Sequence, residues 1–221
     1  MTMHMQREVE QLKVKVLELG QKVEENFQMA VESLINRDSQ LAEKLVDADI
    51  EIDRLEVDLE EECLKILALH QPVAIDLRFV IAVLKINNDL ERIGDLAVNV
   101  AERTLFLSSR PEVQAHMEFG VMAEKTKSML RRSLEALVNM DTDQARQVCV
   151  DDDEVDAINR DIYEVVQGAI RDDMSQMECL IHYLSVARHL ERIADHATNI
   201  AEDVIYMVDG EIVRHKAEDY R

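Results

Sequence analysis

One segment of the chain occurs twice, one hundred residues apart. The first copy spans 84–102 and the second spans 184–202. Residues 90–95, Leu-Glu-Arg-Ile-Gly-Asp, return at 190–195 as Leu-Glu-Arg-Ile-Ala-Asp, and the Ala-x-Asn-x-Ala-Glu pattern at 97–102 returns at 197–202. A repeat that long, at a fixed offset, predicts two units of like construction.

Both copies have the pattern of an amphipathic helix. At about 100° per residue, the acidic and amide side chains of each copy fall on one face and the aliphatic side chains on the opposite half. The polar faces comprise Glu91, Asp95, Asn99 and Glu102 in the first copy and Glu191, Asp195, Asn199 and Glu202 in the second. The duplication therefore predicts two helices with an apolar back and a carboxylate-rich front.

Composition favours an all-α fold. Five Gly and two Pro among 221 residues are too few for the tight turns of a β-rich protein, and strong helix formers dominate. Apolar residues recur at helical spacing in six segments separated by short polar breaks. The predicted helices span residues 7–37, 38–69, from 72–76 to 107, 112–140, 143–171 and 175–208, with Gly210 as the final stop.

The break Ser-Ser-Arg-Pro at 108–111 divides the chain near its midpoint. The second half follows the first at an offset of 103 residues before the repeated segment, so that Asp49 and Asp53 correspond to Asp152 and Asp156. We therefore expect two tandem three-helix bundles related by internal duplication, one within 1–108 and one within 112–221.

The charge balance limits the partners. A formal net charge of −21 disfavours nucleic acid, because phosphate binding needs clustered Lys and Arg, and it suits cations or basic protein surfaces. Three cysteines without paired spacing indicate reduced thiols and a cytosolic protein. The longest apolar run, 79–84, is far shorter than the roughly 20 residues a membrane span needs, so membrane association is expected only through partners.

The carboxylates define two candidate cation sites. If the second and third helices of each bundle lie side by side, Glu-x-x-x-Asp on one and Asp-x-x-x-Asp on the other present oxygens that hard cations prefer. We call Asp49, Asp53, Glu91 and Asp95 the first acidic ladder, and Asp152, Asp156, Glu191 and Asp195 the second acidic ladder. In the second bundle Asn159 and Tyr163 replace Glu56 and Glu60, which predicts a site poorer in charge.

The acidic residues and the histidines can also be explained without a metal. Acidic helix faces are usually solvated, and Arg92 and Arg192 are spaced to pair with Asp95 and Asp195 on their own helices. His182, His189 and His196 recur at heptad spacing, which is typical of a packing stripe. Glu178 with His182 could join a transition-metal site only if another helix supplied ligands.

No catalytic signature accompanies the ladders. The sequence has no phosphate-binding glycine loop, no nucleophile elbow and no paired-cysteine zinc site, so no catalytic residue is predicted. A metal-dependent enzyme with a carboxylate-bridged cluster and a purely structural helical scaffold stay as alternatives to a binding protein. The enzyme would need an enclosed pocket with an open coordination position.

The motifs at 90–95 with 99–102, and at 190–202, resemble those of the PhoU family of phosphate-transport regulators. The likeness extends to Pro-Val-Ala-Ile-Asp-Leu-Arg at 72–78 and to Gly210, Arg214 and His215, so it covers nearly the whole chain. It implies a cytoplasmic, often dimeric protein of two three-helix bundles. The members are associated with a phosphate ABC transporter and a phosphate-responsive histidine kinase, and they restrain the phosphate-starvation response.

The resemblance also implies a metal. Some members hold iron or zinc clusters through Glu/Asp-x-x-x-Asp motifs, and the matching positions here are Glu91, Asp95, Glu191 and Asp195. Magnesium or another divalent cation is equally compatible with carboxylate ligands. We therefore expect a non-enzymatic adaptor whose acidic faces are modulated by a bound cation.

Overall fold

A computed structural model of the chain describes residues 3–210, and the regular structure in that range is helical. The helices are α1 (Met3–Asn36), α2 (Ser39–His70), α3 (Ala74–Ser108), α4 (Phe119–Asn139), α5 (Thr142–Asp172) and α6 (Met177–Asp209), with a 3₁₀ turn at Met174–Gln176 before α6. This confirms the all-α prediction and its six helices. The predicted limits of the two domains stay a prediction, and Arg214 and His215 lie outside the described residues.

Each half of the chain folds into a three-helix unit. Helices α1, α2 and α3 contact one another, as do α4, α5 and α6. The repeated segment lies on α3 and α6, and its apolar back is completely buried in both units. Each large aliphatic side chain so buried stabilises the fold by about 1.5–3 kcal/mol, which makes these two helices the centre of the core. The buried backs comprise Leu90, Ile93, Ala97, Val100, Leu190, Ile193, Ala197 and Ile200.

Residues in the short polar breaks cap the helices that follow them, and a glycine ends the last helix. The Asp38 carboxylate caps α2 by accepting from the backbone N–H groups of Gln40 and Leu41. Asp141, the corresponding residue of the second unit, caps α5 by accepting from the N–H of Gln144. Gly210 ends α6 in the left-handed region at φ 75°. The duplication therefore extends to the capping residues.

The predicted start of α4 at residue 112 is wrong, because that helix begins at Phe119. The intervening 110–118 segment has no regular secondary structure. Its alternate residues Val113, Ala115 and Met117 pack against the core, while the side chains between them are exposed. That alternation has the period of a strand, and it leaves no helical face to bury.

The two units pack through α3 and α6, which run antiparallel. Lys85, early in α3, bonds to Asp203 near the end of α6, with 3.0 Å between Nζ and Oδ1. Phe106, near the end of α3, stacks on His182 early in α6, with ring centroids 3.8 Å apart. The two repeated segments therefore lie side by side along most of their length. Arg37 adds a further link, since its guanidinium donates to the Arg110 carbonyl and the Tyr183 hydroxyl.

The heptad histidines lie at this junction, which confirms the packing prediction. His196 Nδ1 is 2.8 Å from Asp89 Oδ1, and Asn199 reaches the same oxygen. Burial and the nearby Arg103 lower the pKa of His189 to about 4, which keeps that ring neutral at physiological pH. Glu178 lies 3.9 Å from the Arg110 guanidinium, so its described contact is an ion pair.

Within residues 3–210, no helix combines the length and the apolar character that a bilayer crossing requires.

Candidate metal-binding ladders

The first acidic ladder lies where α2 packs against α3. Asp49 is half-buried, its Oδ1 has no hydrogen-bond partner, and the carboxylates of Asp53 and Asp95 are near enough to act on its charge. Gly94 permits this approach, because a Cβ there would lie 3.2 Å from Ile52 Cδ1 and 3.4 Å from Asp49 Oδ1. The glycine in the first motif therefore leaves room for α2 side chains to pack closely against α3, although Ala194 at the same place in the second unit also permits facing carboxylates.

Electrostatic repulsion and burial act together in this ladder. Burial, with the charges of Asp53 and Asp95, raises the pKa of Asp49 to about 6. Burial also raises the pKa of Glu91, and Asp95 raises it further, while Arg92 works against both. Arg92 makes the predicted local pair, with 3.1 Å between Nη1 and Asp95 Oδ2. One arginine does not neutralise the group, so the ladder keeps excess negative charge.

The second acidic ladder lies between α5 and α6 and shows the same effects. Burial and the charges of Asp195 and Asp156 raise the pKa of Asp152 to about 7. Burial followed by the neighbouring carboxylates also raises the pKa of Glu191 and Asp195. The carboxylates of α5 and α6 therefore face one another closely enough to act on one another's charge, and their role as metal ligands stays a prediction.

The residues beside the two ladders differ in charge. A cavity of about 810 Å³ opens beside Glu191 and Asp195, and arginines line it. At the positions of Arg160 and Arg188 the first unit has Val57 and Asn88. The Arg160 guanidinium is 3.8 Å from Asp156 Oδ2. The loss of carboxylates in this half was predicted from the sequence. The added arginines were not, although the same offset between the halves places them opposite Val57 and Asn88.

The donor chemistry of the ladder residues suits a cation, but their oxygens are not gathered into a formed site: among residues 3–210, three metal-ligating atoms lie within 4.8 Å of one another at His4, Glu8 and His70 and not at the ladders. The ladder donors are carboxylate oxygens, which suit hard divalent ions and iron, and the unsatisfied buried oxygen of Asp49 is a group that an ion would satisfy. Asp49, Glu91 and Asp95 would hold an ion in the first unit. Asp152 and Glu191 would do so in the second. In such a site the protein supplies fixed negative charge and holds the oxygens, and the ion supplies the neutralising positive charge.

The structure also shows a metal-compatible group that sequence reasoning missed. Among the described residues, His4, Glu8 and His70 bring three possible ligand atoms within 4.8 Å of one another. The His4–Glu8 spacing of one helical turn could have been noticed. The third donor, His70, lies 62 residues after Glu8, and nothing in the sequence indicates that the two are in contact.

Two tandem three-helix units with a carboxylate row on each repeated helix define a duplicated all-α protein with an acidic helix face in each half. The sequence profile of the PhoU domain matches it twice, at residues 16–104 and 119–204. The chain belongs to the PhoU family.

Relatives and solved structures agree with this assignment. A phosphate-specific transport system accessory protein PhoU homolog of Aquifex aeolicus is 38% identical over 210 residues, which cover 95% of each chain. The PhoU accessory protein of Serratia marcescens is 32% identical over 96% of this chain and 87% of its own. The crystal structure of PhoU from Pseudomonas aeruginosa superposes with a TM-score of 0.90 at 35% identity, covering 93% of this chain and 99% of that one.

Proposed function

We propose that this protein is an accessory regulator of phosphate transport that restrains phosphate uptake and the phosphate-starvation response. It acts in the cytoplasm, as a homodimer, as a non-enzymatic adaptor between the phosphate ABC transporter ATPase and a phosphate-sensing histidine kinase. The relatives named as phosphate-specific transport system accessory proteins support the transport role. The finer assignment to kinase and ATPase rests on the family resemblance.

The observation that carries the proposal is that each unit packs the carboxylates of two helices against one another, with the buried Oδ1 of Asp49 left without a hydrogen-bond partner and the pKa values of Asp49 and Asp152 raised. Carboxylates one turn apart repel one another when no cation lies between them, and burial strengthens the repulsion by excluding water. A bound divalent ion neutralises the group and draws the facing helices together. Cation binding therefore changes both the charge and the spacing of the surface that a partner meets.

The test compares the full chain with a ladder variant that carries Glu91→Gln, Asp95→Asn, Glu191→Gln and Asp195→Asn. Amides keep the shape of the carboxylates and remove their charge. Elemental analysis of both proteins, purified without chelator, measures the metal each retains. Affinity for the purified transporter ATPase and for the kinase is then measured with and without the retained metal.

We expect metal to be lost in the ladder variant and partner affinity to change at least tenfold, with helix content unchanged by circular dichroism. Unaltered partner affinity would overturn the adaptor mechanism. Turnover of a phosphate ester by the native protein that disappears in the ladder variant would instead establish the metal-dependent enzyme.

A further inference from the structure

A second kind of donor cluster lies at one end of the first unit, away from both ladders. Helices α1 and α2 are antiparallel neighbours, so the first turn of α1 lies beside the last residue of α2. His4 and Glu8 come from α1, one turn apart, and His70 is the residue that ends α2. Two helices thus supply imidazoles to one carboxylate.

The Glu8 carboxylate contacts both histidine rings, those of His4 and His70. Its Oε1 is 3.3 Å from His4 Nδ1, and its Oε2 is 2.5 Å from His70 Nε2. The ring centroids of the two histidines are 5.8 Å apart. The two imidazoles therefore converge on the carboxylate from two helices, with a nitrogen of each ring directed at it.

Burial restrains two of the three donor side chains. The Glu8 side chain is 11% exposed and that of His70 is 18% exposed, whereas His4 is 77% exposed. Met5 and Val9, which flank Glu8 on α1, are buried in the core and fix the helix at this level. Two donors are therefore held by packing, and the third lies toward solvent, where an ion would enter.

We propose that His4, Glu8 and His70 bind a single transition-metal ion of the zinc class, with a fourth coordination position open to solvent. Two imidazole nitrogens and one carboxylate oxygen are the ligand set of many such sites, and imidazole disfavours magnesium and calcium. The ladders offer oxygens alone. The protein therefore has two classes of cation site with different metal preferences.

The geometry needs only small movements to accept the ion. Zinc bonds of about 2.0–2.2 Å in a tetrahedral arrangement place the ligand atoms roughly 3.3–3.6 Å apart. The His4–Glu8 distance of 3.3 Å already meets this value, and the 2.5 Å contact to His70 opens by about 1 Å. The exposed His4 ring adjusts most easily, because packing does not restrain it.

A proton occupies part of this site when metal is absent. A carboxylate only accepts hydrogen bonds, so the close contact to Glu8 places a hydrogen on His70 Nε2. Metal coordination at Nε2 requires the tautomer with its hydrogen on Nδ1, so Nε2 gives up its hydrogen to solvent and Nδ1 carries one instead. The ion then replaces the hydrogen bond with a bridge that joins the start of α1 to the end of α2, and it stabilises the folded chain.

The test is a zinc titration of the full chain against a chromogenic chelator, carried out in the ladder variant so that carboxylate sites do not contribute. His70→Gln and His4→Gln remove one ligand each. His116→Gln is the matched control, because that imidazole is 90% exposed and lies 3.9 Å from a single carboxylate, Glu118. Cobalt is titrated in parallel, because its visible spectrum reports tetrahedral coordination.

We expect one zinc per chain in the ladder variant, a tetrahedral cobalt spectrum, and at least a tenfold loss of affinity in each ligand variant but not in the control. Circular dichroism checks that the variants fold, and Glu8→Gln provides a second test if one does not. Zinc affinity that is unchanged in both His70→Gln and His4→Gln overturns the proposal. Zinc binding that vanishes in the ladder variant also overturns it, because the ion then belongs to the ladders.

Discussion

Lys85 Nζ lies 3.0 Å from Oδ1 of Asp203, and this ion pair joins the two repeated helices at a point where the carboxylate is only 2% exposed. The ammonium group also lies 5.2 Å from the centre of the Tyr206 ring. A carboxylate at that depth is stable only if a positive charge and hydrogen bonds compensate for its lost hydration. The pair is therefore central to the contact between the units.

We expect Lys85→Met to lower the free energy of unfolding by about 2–3 kcal/mol, because it leaves a buried charge without its cation while the lysine itself is partly solvated. Urea denaturation measures the change. Lys65→Met is the control, since Lys65 forms a surface pair with Glu62 at 3.4 Å, and its loss should cost less than about 0.5 kcal/mol. Equal effects of the two substitutions would contradict a special role for the buried pair.

The second ladder should make stability depend on pH. The pKa of Asp152 is about 7 in the folded chain against a reference of 3.8. The folded state therefore binds more protons than the unfolded state between those values, and the carboxylate destabilises the protein as pH rises through that window. We expect Asp152→Asn to be more stable than the native chain by about 1–2 kcal/mol at pH 8, after allowance for solvent screening, and equal to it near pH 4.

Urea denaturation at several pH values, in the presence of a chelator, measures this difference. His189 has a lowered pKa of about 4 and gives a slope of the opposite sign between pH 4 and 6.5. Because it is present in both proteins, its contribution cancels. A stability difference that does not vary with pH would show that Asp152 is not protonated on folding.

Two glycines in helix interiors should respond in opposite directions to alanine. A Cβ at Gly20 would lie 2.6 Å from Leu134 Cδ1, at the contact between α1 and α4, whereas a Cβ at Gly168 meets nothing within 4 Å. Gly168→Ala should stabilise the chain by about 0.5–1 kcal/mol through helix propensity alone. Gly20→Ala should destabilise it by about 1–2 kcal/mol, because Leu134 has to move. Thermal unfolding of both variants tests the pair, and stabilisation by Gly20→Ala would show that the α1–α4 contact is loose.

Thiol labelling should distinguish the cysteines. Burial raises the pKa of both Cys63 and Cys149 to about 12, which removes the reactive thiolate at neutral pH. Cys149 and Cys179 are both partly exposed, and the raised pKa makes Cys149 the less reactive of these two. Mass spectrometry after brief treatment of the native protein with iodoacetamide should find Cys179 modified first, and the other two only after unfolding. Rapid modification of Cys63 would indicate that the first unit opens readily.

Local rules account for most of the fold. Helical periodicity predicted where the helices run, and Asp38 marked the start of α2. The duplication predicted the second unit from the first. The facing of Asp49 toward Asp95 also followed, because only one side of each helix is polar. Residues 112–118 were wrongly predicted as helix because several of them are good helix formers. In the folded chain alternate residues of this segment pack against the core, and that pattern depends on tertiary contacts.

Contacts between distant residues were not predictable in the same way. Nothing near His70 in the sequence indicates that it lies beside Glu8, because that contact depends on the lengths of two helices and the turn between them. The depth of Asp152 likewise depends on how closely α5 approaches α6. Periodicity assigns a residue to a face, and tertiary packing decides how much water reaches it.

The duplication has a consequence for how a partner can approach. Two identical chains related by a two-fold axis must present identical grooves, but two repeats within one polypeptide are free to differ. Here the acidic face of the first unit has Glu56 and Glu60, whereas the second unit has Arg160 and Arg188 beside its ladder. One polypeptide therefore carries two unlike faces in a fixed one-to-one ratio. Its two ends are distinguishable, so a partner can bind it in one orientation and not the reverse.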